Sequence, residues 1–183
     1  MIFGLFRGKG NGRLIARLHA EVVAAAREPL LFTDYGIADD LDGRFESMAL
    51  HAVLVLRRLK QWPPPGPDMA QDLADVIFRH FDRGLRELGI GDISVPRRMR
   101  DLAEAFLGRA NTYDAALNQP GDVRLAALAA ALSRNVYAGR QDGKQLAAYV
   151  MRLDATLQQM PLAEFLEGPI FGENAANARE VLR

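Results

Sequence analysis

The 183-residue sequence has no cysteine, which removes disulfides, thiolate metal sites and cysteine nucleophiles and fits a reducing compartment. It has no surplus of either charge. With 23 Lys and Arg against 23 Asp and Glu and a pI near 6.8, no global field draws it to nucleic acid or anionic lipid, so any such contact must come from a local patch. Long hydrophobic runs are missing too: MALHAVLVL and LAALAAAL fall short of the ~20 residues that a spanning helix needs. Histidine is limited to His19, His51 and His80, and none has a glutamate three residues before it, so the Glu-x-x-His pairs of a di-iron bundle are absent. There is no G-x-S-x-G nucleophile elbow, and GKGNG lacks the Lys-Ser/Thr ending of a phosphate loop. No metal, no cofactor and no enzymatic activity are expected.

What is present is helical periodicity almost throughout, with no useful length of strand alternation. The expected fold is an all-α, single-domain bundle of about six to seven helices. Residues 1–11 form a flexible apolar and basic amino-terminal segment, residues 12–160 the helical domain, and residues 161–183 a tail with one short helix. Helices are predicted at about Gly12–Arg27, Arg44–Lys60, Asp68–Leu88, Ser94–Leu117, Val123–Val136 and Asp142–Met160. Leu30–Leu41 reads as a turn-rich connection. The prolines of QWPPPGP end the second helix, Asp68 caps the third, and Gly89 suits a left-handed cap at its end.

The stretch ADDLDGRFESM resembles a calcium loop, but with Gly43 at loop position six, Ala38 and Ala49 fall at positions one and twelve, where oxygen ligands are required. It reads instead as a helix start, capped by Asp42 or Gly43 with Glu46 reaching back. On the helix that follows, Phe45, Met48, Ala49, Ala52, Val53, Leu56 and Leu59 form a broad apolar side. Arg44, Ser47, His51 and Arg58 share a narrow polar stripe, flanked by a smaller apolar strip of Leu50 and Leu54. A helix apolar on more than one side is expected at the centre of the bundle, with His51 at a polar seam.

Local charge offers further candidates. Asp75 with Arg79 and Asp82 with Arg86 have the i,i+4 spacing of surface ion pairs. Arg97, Arg98 and Arg100 fall in the first turns of a helix, where the macrodipole disfavours cations, and so suit a partner bearing acidic or phosphate groups. MIFGLF followed by Arg7, Lys9, Arg13 and Arg17 combines apolar and basic signals for peripheral membrane contact through residues 1–17.

The blocks LDGRFESMALHAVLVLRRL, FDRGLRELGIGDISVPRRMRDLAEAFLGRANTYDAAL and LAAALSRNVYAG together resemble the ubiquinol-cytochrome c chaperone family over about Tyr35 to Val150. The resemblance implies a non-enzymatic assembly factor of ubiquinol-cytochrome c reductase. Its protein client is newly made cytochrome b or another reductase subunit, and it acts in a bacterial cytoplasm, peripherally at the inner membrane face. Leu107 stands where the family pattern EAFYGR has tyrosine. Among matched and neighbouring positions, Arg44, His51, Arg58, Arg98, Arg109 and Tyr113 are the client-binding candidates. They are expected to rim an apolar groove with long cationic or aromatic side chains. Two other readings compete: a small-molecule-binding or enzymatic helical domain with an anionic ligand near His51, and a nucleic-acid module using Arg97, Arg98 and Arg100.

Overall fold

In a computed structural model, the described residues are 9–172, and they form a single all-α domain. Among them are eight helices: α1 (Lys9–Ala26), α2 (Pro29–Thr33), α3 (Leu41–Gln61), α4 (Gly66–Glu87), α5 (Val95–Leu117), α6 (Gly121–Asn135), α7 (Lys144–Gln159) and α8 (Leu162–Glu167). The single turn of α2 stands in the stretch expected as a connection. It is nucleated by Pro29 at its start and pinned by buried Leu31. Residues 1–8, which carry the apolar part of the membrane-contact segment expected at residues 1–17, lie outside the described residues.

Helix α3 is the axis of the bundle, as its two-sided apolarity predicts. Thirteen of its 21 residues are buried, and it packs against α1, α4, α5 and α7. The middle of the polar stripe is buried as well, because α7 and the carboxyl-terminal stretch cover it, while Arg44 at its start stays exposed. Ser47 and His51 are fully buried. Helices α5, α6 and α7 succeed one another around this axis, and α6 joins its two neighbours. The chain after α7 belongs to the core: Phe165, Ile170 and Phe171 are all buried.

The start of α3 corrects the expected cap. The N-cap is Asp40, not Asp42 or Gly43, and its carboxylate accepts the Gly43 amide at 2.8 Å. Gly43 is needed for proximity: a Cβ there would lie 1.9 Å from the Ala38 carbonyl oxygen. Gly43→Ala therefore forces the backbone apart at a capped turn and is expected to destabilise the fold by about 2 kcal/mol. Urea denaturation measures this, and an unchanged midpoint would contradict it. Asp68 is likewise not a cap but a first-turn acid of α4, whose N-cap is Pro65. Of the two expected surface pairs, Asp82–Arg86 forms at 2.9 Å, whereas Asp75 takes the Gln71 amide instead.

Candidate functional site

The first half of the chain encloses a cavity of about 680 Å³ between α1, α2, α3, α4 and the start of α5. Its wall is aromatic and aliphatic. Phe32, Phe45 and Phe81 are half-buried, Phe45 and Phe81 meet with ring centroids 5.4 Å apart, and Met48 and Leu85 close the inner end. Leu41 and Leu88 line it while remaining 51% and 61% exposed, so the cavity opens to solvent between apolar lips. Three exposed arginines, Arg27, Arg44 and Arg98, border it together with Asp39 and Asp42. The Arg44 Nε donates to Asp39 at 2.8 Å, and this pairing raises the arginine's pKa. The rim is therefore mixed in charge, and among the described residues Arg98 has no ion-pair partner.

Of the six expected client-binding residues, the structure brings only Arg44 and Arg98 to this cavity. The other four are turned to internal tasks. His51 is enclosed: its Nδ1 lies 2.8 Å from the Ser47 carbonyl, which can only accept, so Nδ1 carries the proton and Nε2 accepts the Tyr149 hydroxyl at 2.9 Å. Burial lowers its pKa to about 4, against the opposing pull of the Ser47 carbonyl. Arg58 lies over the Trp62 ring, 4.7 Å from its centroid, and donates to the Met160 carbonyl at 3.1 Å. Trp62 in turn meets Phe165 edge-on, so Arg58 helps hold the carboxyl-terminal stretch in place.

Arg109 forks over Glu46, donating from Nε at 3.1 Å to both carboxylate oxygens and from Nη2 at 2.5 Å to one of them. Burial nonetheless holds the Glu46 carboxyl above its ordinary range, so desolvation outweighs the attraction of the guanidinium. Tyr113 is 1% exposed, receives the Asn135 amide at 3.5 Å, and has its pKa pushed up mainly by burial. Neither His51 nor Tyr113 offers surface to a client in this conformation. Arg17, from the expected membrane-contact segment, is also committed internally. It pairs with Glu21 and donates to the Gly168 carbonyl and, at 2.6 Å, to the Phe165 carbonyl.

The sequence reading missed Arg57, which joins Asp114 on α5 and Asp154 on α7 and donates to Asn118 at 2.8 Å. A signal was available: Leu50, Leu54 and Arg57 follow i, i+4, i+7 spacing, so an arginine ends an apolar strip. An arginine on such a strip implies a buried counter-ion. Arg27 and Phe81 also went unremarked as pocket residues, because they meet only through the packing of α1 on α4.

An open apolar cavity with arginines and acidic residues on its rim, on an all-α scaffold, has the form of a binding module. The comparisons with known proteins give the class its name: the sequence profile of the ubiquinol-cytochrome C chaperone family matches residues 33–173, and the chain belongs to that family. The crystal structure of the Cbp3 homolog from Brucella abortus is similar at a TM-score of 0.78 and 38% identity, over 92% of this chain and 94% of that one. No curated protein sequence matches the chain. Among the described residues, no helix is long and apolar enough to cross a membrane.

Proposed function

We propose that the chain acts in assembly of ubiquinol-cytochrome c reductase by holding a segment of newly made cytochrome b in the α1–α5 cavity, without catalysing a reaction. The observation that carries this reading is the combination in one opening of half-buried aromatics, exposed leucine lips and the arginines Arg44 and Arg98. An unassembled membrane subunit presents apolar helix surface together with acidic or propionate groups, and a greasy trough with cationic edges complements both. Family membership supports the assembly role, and the cavity's apolar lining supports its use by the client. The competing anionic-ligand reading centres on His51, which does not line the cavity and has both ring nitrogens engaged.

The test is affinity capture from native membranes with wild type, an Arg44→Glu/Arg98→Glu variant, and a Leu88→Ser variant. An Arg134→Glu variant on an exposed α6 position away from the cavity serves as control. Cytochrome b recovery is expected to fall at least about ten-fold in the first two variants and to hold in the control. Equal recovery from all four proteins would reject the cavity as the client site.

A further inference from the structure

We propose that the turn between α4 and α5 is a docking tip for an anionic lipid bilayer. Ile93 at its apex is 97% exposed, Leu88 at its start is 61% exposed, and Ile90 is only partly covered. An apolar side chain so exposed would be unremarkable on a frayed loop, but this turn is hydrogen-bonded and anchored at both ends. The Gly89 amide donates to Arg86, Ile90 to Leu85 and Ser94 to Gly91, at 3.0, 3.2 and 2.8 Å. Leu85 before the turn and Val95 after it are buried, so Ile93 is presented outward by a fixed frame.

The charge around this turn has a positive excess. Residues 82–101 hold five arginines against four carboxylates, and Arg86 takes two of those, Asp82 at 2.9 Å and Asp92 at 2.7 Å, which leaves four arginines against Glu87 and Asp101. Arg97, Arg98 and Arg100 are exposed, and among the described residues none of them has a counter-ion. The first turn of α5 contains no acidic residue to offset them against the helix dipole. A convex apolar apex with cationic shoulders suits a surface whose negative headgroups lie above hydrocarbon, where the isoleucine enters and the guanidiniums stay with the phosphates. A protein partner would have to supply a matching acidic-rimmed hollow, whereas a bilayer yields to the tip.

The tip shares Leu88 and Arg98 with the cavity, so its test alters neither of them. Full-length protein is sedimented with vesicles of equal parts phosphatidylglycerol and phosphatidylcholine, or of phosphatidylcholine alone. The expected result is at least about ten-fold tighter association with the anionic vesicles, weakening as salt is raised. Arg97→Glu/Arg100→Glu should weaken that association about 25-fold or more, and Ile93→Asp about ten-fold, with thermal melts unchanged because all three positions are exposed. The chain has a single tryptophan, Trp62, so Ile93→Trp adds one reporter whose emission should shift to the blue on the anionic vesicles. Absence of anionic preference, variants that bind like wild type, or no emission shift would each overturn the proposal. Binding through residues 1–8 would appear as the second of these.

Discussion

Arg109→Met is expected to cost the fold about 3 kcal/mol, because the change leaves Glu46 in the core without its partner. The Glu46 side chain is 7% exposed, and its carboxyl is already held above the ordinary range by burial even with the guanidinium in place. Without Arg109 that carboxyl rises further. A carboxyl whose folded pKa lies above its unfolded value of 4.5 loses stability as pH rises through that interval, so the penalty should shrink in acid and be full at neutral pH. Glu46→Gln in the Arg109→Met background removes the charge and should recover a sizeable part of the loss. The double-mutant cycle by urea denaturation measures the coupling. Additive effects, or a penalty independent of pH, would refute the account. The result also bears on the site: a destabilised but folded Arg109→Met that still captures cytochrome b would establish Arg109 as part of the frame.

That division between frame and rim explains what the sequence could and could not disclose. Helix positions follow from local chemistry, such as the prolines after Gln61 and Pro120 ahead of α6, and they were legible to within a few residues. The central place of α3 was legible because apolar residues surround it on two sides. The direction in which its polar stripe faces was not. Arg44, Ser47, His51 and Arg58 share one stripe, yet Arg44 is exposed, Ser47 and His51 are sealed, and Arg58 is covered by Trp62 and Met160. What separates them is how far α7 and the residues after it extend along α3. That is a tertiary fact, with no trace in the spacing of one helix. An apolar-lined cavity is present, and two of its three bordering arginines, Arg44 and Arg98, are expected rim residues, whereas the other four expected residues lie away from it. Arginines in helical proteins serve both as ion-pair partners inside and as rim charges outside, and only the location of a carboxylate such as Glu46 distinguishes the two.

The sealed histidine makes the second large prediction: lowering the pH from 6.5 to 4 should remove up to about 3 kcal/mol of stability through His51 alone. In the unfolded chain the imidazole takes a proton from about 6.5 downward, whereas burial in the folded chain delays protonation to about 4. Between those values the unfolded state binds more protons, so this contribution is complete above 6.5 and declines as the solution is acidified. The geometry gives the same sign. The Tyr149 hydroxyl donates to Nε2, and a second ring proton there would face that donor within a site that also holds the edge of Phe171. The chain Tyr149 to His51 to Ser47 to Ala26, closed by the Ser47 hydroxyl at 2.8 Å, ties α7 and α1 to α3, so protonation attacks the bundle at its axis. His19 and His80 also have lowered pKa values, chiefly from burial, and add loss of the same sign. Comparison with His51→Gln separates the contributions. The variant should be less stable than wild type at pH 7.5, and the gap should narrow as the pH falls to 4, because only wild type retains the His51 proton linkage. Parallel stability curves for the two proteins across that range would show that the imidazole at the bundle's axis is not what acid disturbs.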